Sequence, residues 1–192
     1  VGLQVAVCTA LLLGAVAVGA SVRNLSEQES GMARKQIVSF TMRDEQDARL
    51  VPAVRRWSEQ VRQIEGVEGV SYATVRMMRG SGMKTSVGRA GEMVPASEFM
   101  NTSTMAVGPG YFETMGQKWI AGREPQGKQQ VVVNETFARK FGNGGSVVGK
   151  QFGFGTKVAV KGEVEVVGVV SDAKYRSMRE PMQPVVYGAI EG

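Results

Sequence analysis

The residues best placed to do chemistry are Ser171, Asp172, Lys174 and Tyr175, gathered just after the apolar run Val164 to Val170. A hydroxyl, a carboxylate, an amine and a phenol can exchange protons, and active sites favour strand ends. A Ser and an Asp in a turn, however, more commonly bond to neighbouring backbone amides. There is no histidine in the 192 residues, which excludes Ser-His-Asp and Cys-His catalysis and every histidine-ligated metal. No second carboxylate cluster accompanies Asp172. The expectation is a chain with no catalytic, cofactor-binding or metal-binding residues, and so not an enzyme.

Two further patterns have chemical readings. Gly144-Gly-Ser-Val-Val-Gly149-Lys150 satisfies the G-x-x-x-x-G-K spacing of a phosphate loop. A working phosphate loop follows a strand, opens a helix and places Ser or Thr after the Lys to hold Mg²⁺. Here a helical segment precedes it and Gln151 takes the hydroxyl position, so the match is accidental and no nucleotide is expected. Met77, Met78, Met83, Met93, Met100, Met105 and Met115 carry soft thioethers, which bind Cu(I) only where they converge. Their spacing fits neither one helix face nor one strand face. They are expected to fill gaps in packing, with Met77 to Met105 bordering a partner-facing surface. The net charge of +5 is spread along the chain and mixed with acids, the pattern of a solvated surface and not of a nucleic-acid footprint.

The elements that would position these groups begin with Val1 to Val22, which carry no charge. About 20 apolar residues at 1.5 Å rise cross the hydrocarbon core of a bilayer, so a spanning helix is expected. A cleaved signal peptide would begin with a basic region; no Lys or Arg precedes the run, although Ala17-Val18-Gly19-Ala20 has the look of a cleavage site. Between Arg23 and Met32 one Arg stands with Glu27 and Glu29, a flank poor in positive charge that favours an extracytoplasmic domain. Cys8 is the only cysteine, so no intrachain disulfide forms, and the apolar run lies mostly after it, unlike a lipoprotein anchor. The first residue is not Met, and the chain reads as an excerpt of a longer protein.

Beyond the span the pattern is α+β. Gln36 to Met42 alternates like a strand. Leu50, Val51, Val54, Trp57, Val61 and Ile64 recur at helical spacing, with Asp44 or Asp47 as cap, Pro52 in the first turn or at a kink, and Gly66 as stop. Val67 to Val75 alternates again, completing a β-α-β unit with its two strands parallel. The character changes at Gly80-Ser81-Gly82. Strands are expected over Asn101–Val107, Val131–Val133, Val147–Phe154, Val158–Asp172 and Val185–Tyr187. A helical turn is expected at Tyr111–Gly116, and a helix over Asn134–Phe141 capped by Asn134 and ended by Gly142.

The block Ala106-Val-Gly-Pro-Gly-Tyr-Phe-Glu-Thr-Met-Gly116, then Ala121-Gly-Arg-Glu124, carries a resemblance. With Val131-Val-Val-Asn-Glu-Thr-Phe-Ala-Arg-Lys-Phe141, Val148-Gly-Lys150 and Val164-Glu-Val-Val-Gly-Val-Val-Ser-Asp172, the series resembles the periplasmic core domain of MacB-like ABC-transporter permeases. The variant is similar to permeases abundant in acidobacteria. The resemblance implies an α+β architecture: a transmembrane helix (1–22), then a two-lobed extracytoplasmic domain with a porter-like β-α-β lobe (23–82) and a strand-rich lobe (83–192), the last open to truncation. It implies a single pass here, at the bacterial inner membrane, with the soluble part periplasmic. It also implies an ABC ATPase subunit or domain as partner, a periplasmic adaptor protein, and a homodimer in the full-length protein. The role implied is non-catalytic: passing ATP-driven motion to a substrate or accessory protein outside the membrane, as in efflux. The competing readings are a membrane-tethered binding or scaffold module, and a tethered hydrolase using Asp172 or Lys174.

Overall fold

With no charge to interrupt it, the first helix, α1, runs from Gly2 to Glu27. Gly2–Asn24 is long and apolar enough to cross a membrane, with a mean hydropathy of 2.3. The helix thus continues about a turn past the expected end at Val22. The computed structural model describes residues 2–27, 37–42, 47–75, 83–95, 97, 101–154, 162–174 and 180–190. It divides into two compact units, Val1–Ser30 and Gly31–Gly192.

In the second unit, α2 spans Asp47–Arg62 and contains Pro52. Pro52 is the sixth residue, past the first turn, so its missing N–H removes one i→i−4 bond. The flanking segments depart from the expected parallel β-α-β pairing. Residues 37–42 join no ladder; Phe40 instead sets its ring edge-on to Trp57 at 5.0 Å. Residues 67–75 contribute one isolated antiparallel bridge, Ala73 to Val107. Alternation measures readiness to pair but cannot choose the partner, and the end of another strand is the partner here.

The remaining elements are β1 (Met83–Thr85), β2 (Val87–Arg89), β3 (Thr102–Val107), α3 (Tyr111–Thr114), β4 (Trp119–Gly122), β5 (Gln130–Asn134), α4 (Glu135–Gly142), β6 (Gln151–Phe154), β7 (Val164–Val170) and β8 (Val185–Ala189). The strands form one sheet in the order β1-β3-β8-β5-β7-β6-β2, with β4 also on β7. β5 runs parallel to β7 along one edge. The other edge of β7 is shared by β6 at Val164–Glu165 and by β4 at Gly168–Val170. β1 and β2, at opposite ends of this order, are separated by Ser86 alone, so the sheet curls back on itself and its two end strands meet.

Both faces of the central strands are buried. Val132, Val167, Val170, Val185 and Tyr187 pack with Met105, Tyr111 and Phe112 on one side. Val131, Val133, Val166, Val169 and Val186 pack with Phe137, Phe141 and Phe152 on the other. This is why Val131–Val133 is a continuous valine run, and why Val166 to Val170, broken only by Gly168, does not alternate. Burying each valine contributes about 1.5–3 kcal/mol before conformational entropy is subtracted.

Val147–Lys150, expected in a strand, is a turn closed by Lys150 N–H on the Val147 carbonyl at 3.0 Å, and β6 starts only at Gln151. Residues 158–161, the expected start of the strand beginning at Val158, lie outside the described residues. α4 retains Gly142 as its last residue, and the left-handed cap is Asn143 at φ 50°.

Candidate functional site

The Ser171–Lys174 cluster sits where β7 leaves the sheet, beside the start of α4. Asp172 Oδ1 accepts from Thr136 N–H at 2.8 Å, and its Oδ2 accepts from the Thr136 hydroxyl at 2.8 Å. Arg139 Nη2 reaches the same Oδ2 at 2.9 Å. The carboxylate therefore covers one N–H group that a helix start leaves without a partner, and it complements the positive end of the helix dipole. Ser171 is equally committed: its Oγ accepts from Lys118 N–H at 2.9 Å and its carbonyl accepts from Gln117 Nε2 at 3.0 Å. Lys174 Nζ donates to the Glu180 carbonyl. Tyr175 lies outside the described residues. The described members of the group engage separate partners: Ser171 the Lys118 amide, Asp172 the start of α4 with Arg139, and Lys174 the Glu180 carbonyl.

The opposite end of α4 accounts for the phosphate-loop pattern. Lys150 Nζ donates to the Gly142 carbonyl at 3.3 Å, while Arg89 donates to the Phe141 carbonyl through Nε at 3.1 Å and through Nη2. Two cations thus cover carbonyls that the helix end leaves exposed. The loop runs from a helix into β6, opposite to the order a phosphate cradle needs.

Among the described residues Asn134 is the most deeply buried polar side chain, and its sequence context marks it as a cap. Fully buried, it accepts through Oδ1 from Phe137 N–H at 3.1 Å and Val185 N–H at 2.9 Å, and donates through Nδ2 to the Gln183 carbonyl at 2.8 Å. One side chain joins α4 to the entry of β8.

The Gly-Pro-Gly-Tyr-Phe block builds a corner. A Cβ on Gly108 would lie 2.7 Å from the Tyr72 ring, and Gly110 turns at φ 68° into α3. Tyr111 and Phe112 are buried, and Phe112 meets Tyr187 edge-on at 5.2 Å. Glu124 Oε1 accepts from Gly110 N–H at 3.0 Å, and Gly122 turns at φ 78° where a Cβ would lie 2.0 Å from the Val167 carbonyl. Sequence spacing gave no hint that Glu124 returns to Gly110; the closest signal was that both lie in the same ordered series. Beside this corner is a cleft of about 190 Å³ whose lining includes Arg55, Gly108, Pro109, Glu124, Pro125 and Ile190. Arg55 spans it from α2, donating to the Tyr72 hydroxyl at 3.3 Å and the Ile190 carbonyl at 3.4 Å.

Among the methionines, Met83 and Met93 are exposed while Met105 is buried and Met115 packs partly against the core. Met77, Met78 and Met100 lie outside the described residues. Among the described residues no group of three or more Cys, Asp or Glu could hold a metal ion.

Comparison with known proteins points to one family. The family model described as the MacB-like periplasmic core domain matches residues 3–189. The periplasmic region of MacB from Actinobacillus actinomycetemcomitans is 17% identical at a TM-score of 0.47, over 69% of this chain and 52% of that one. The extracellular domain of the noncanonic ABC-type transporter YknZ from Gram-positive bacteria is 17% identical at a TM-score of 0.47, over 78% of this chain and 70% of that one. The chain thus spans about half the length of the MacB region it resembles. No match was found among curated proteins.

Proposed function

We infer that this chain, which belongs to the MacB-like periplasmic core domain family, is the extracytoplasmic transmission domain of an ABC-transporter permease, with the membrane helix that precedes it. The observation that carries this reading is the family match over residues 3–189, nearly end to end and including an apolar helix of membrane-spanning length. The domain takes motion generated by an ABC ATPase subunit or domain and delivers it to a substrate or accessory protein outside the inner membrane. Its residues fall into a porter-like lobe (23–82) and a strand-rich lobe (83–192), and in the full-length permease two copies act together alongside a periplasmic adaptor.

Two features support a mechanical role over a chemical one. The central strands are packed on both faces, and close-packed interiors deform little and transmit displacement. The one cluster with acid-base potential spends its carboxylate on the Thr136 amide, the Thr136 hydroxyl and Arg139.

The experiment uses the full-length permease with Cys8→Ser and Met93→Cys, spin-labelled at the exposed position 93. The label-to-label distance distribution is expected to shift when ATP is hydrolysed, and to stay fixed when a variant of the ATPase blocks hydrolysis. Identical distributions in both states would overturn the transmission reading.

A further inference from the structure

The curled sheet is held shut by a seven-residue strap, and its latch is a side chain. β1 pairs with β3 as Met83–Thr104, Lys84–Ser103 and Thr85–Thr102. β2 pairs with β6 as Val87–Phe154, Gly88–Gly153 and Arg89–Phe152. Between them the chain leaves one edge and joins the other across buried Ser86. Continued by one step, the β1–β3 register would set Ser86 opposite Asn101, but the strap has already turned toward β6. The Asn101 carboxamide takes over there. Its Oδ1 accepts from Val87 N–H at 3.0 Å, and its Nδ2 donates to the Val87 carbonyl at 3.0 Å. A side-chain amide offers one acceptor and a donor in the same plane, as a peptide group does, so Asn101 acts as one more residue of strand for Val87. The Thr102 hydroxyl donates to the same Oδ1 at 2.8 Å and steadies the carboxamide.

The two halves of the strap are held differently. Met83 and Lys84 are exposed, and β1 is paired to β3 by its three-residue ladder. β2 has Val87 in the core and Arg89 on the Phe141 carbonyl of α4. An opening that starts at the exposed Met83 end would lift β1 from β3 one pair at a time. It would then meet the pair of hydrogen bonds that Asn101 makes with Val87. We propose that residues 83–89 form a separately releasable strap that closes the sheet, with Asn101 as the latch that stops its detachment at Val87. Release lays bare the edges of β3 and β6 while the β5–β7–β8 centre stays folded. This device does not depend on the transport reading.

The test is native-state hydrogen exchange on the whole detergent-solubilised chain, followed at 83–89, at 102–104 and at 130–134 with 164–170. In the unaltered protein, strap amides are expected to exchange through an opening distinct from, and more frequent than, that of β5 and β7. Asn101→Ala is expected to raise strap exchange by about ten-fold or more and leave β5 and β7 unchanged. Asn101→Asp, which keeps the acceptor and loses the donor, is expected to fall between. If the strap and central strands of the unaltered protein share one opening across a denaturant series, the proposal is overturned, whether or not the variants fold. Strap exchange unchanged in Asn101→Ala would overturn the latch.

Discussion

Asn134 shows how much one amide can carry when it is fully buried with three partners. Asn134→Ala removes the cap on Phe137 N–H and also strands Val185 N–H and the Gln183 carbonyl. Loss of a cap costs about 1 kcal/mol and each buried unsatisfied group about 1–3 kcal/mol more. Urea unfolding is expected to show a loss of roughly 3 kcal/mol, with α4 exchanging faster than β7. Asp172→Asn is a gentler change, because one oxygen remains for Thr136 N–H and Arg139 is 65% exposed, so that the ion pair is screened. A loss of about 1 kcal/mol is expected. Assayed on ester, peptide and glycoside substrates, the unaltered protein is expected to show no turnover for this variant to abolish. Turnover present before the change and absent after it would restore the hydrolase reading.

At the scale of elements, legibility followed burial. β5, β7 and β8 were readable because valine crowds both faces, and α4 because Asn134 announces its start and a phenylalanine pair its buried side. β4 was not readable. Trp119-Ile-Ala-Gly122 is four residues long, and its register slips between Trp119 and Ala121, which destroys any alternation. What fixes β4 is close approach: Gly122 lies against the Val167 carbonyl, and Gly168 leaves space for the Trp119 ring. Neither contact has a local signature. Residues 37–42 and 67–75 failed for the opposite reason, having clear alternation with no pairing to each other. The acid-base cluster was legible as a cluster, but its use as a helix clamp depended on Thr136 and Arg139, more than thirty positions away. Gly122→Ala tests the close approach. A Cβ there combines φ 78° with a backbone clash, so the variant is expected to lose more than about 3 kcal/mol in urea unfolding. Gly91→Ala, at φ 87° with open space around it, controls for the dihedral alone and is expected to lose about 1 kcal/mol.

For the whole molecule, the decisive quantity is the free energy of α1 in lipid. Among the described residues, none of the most apolar window of Gly2–Asn24 is buried. Leu11, Leu12 and Leu13 are each about two-thirds exposed, near the middle of the run. A helix left so in water would expose far more contiguous apolar surface than a soluble protein normally shows. A bilayer removes the problem, and Thr9 fits there because its hydroxyl bonds back to the Val5 carbonyl at 2.8 Å. An arginine at the centre of the run should oppose insertion by about 2.5–3.5 kcal/mol, whereas a phenylalanine should favour it slightly. Leu12→Arg is therefore expected to move a large share of the protein into the alkaline-carbonate supernatant, and Leu12→Phe to leave it in the pellet with the unaltered chain. A helix that merely lay on the membrane would let the long arginine side chain reach water and would lose little. Equal partition of the arginine and phenylalanine variants would thus place α1 at a surface and remove the anchor through which ATP-driven motion is proposed to reach the sheet.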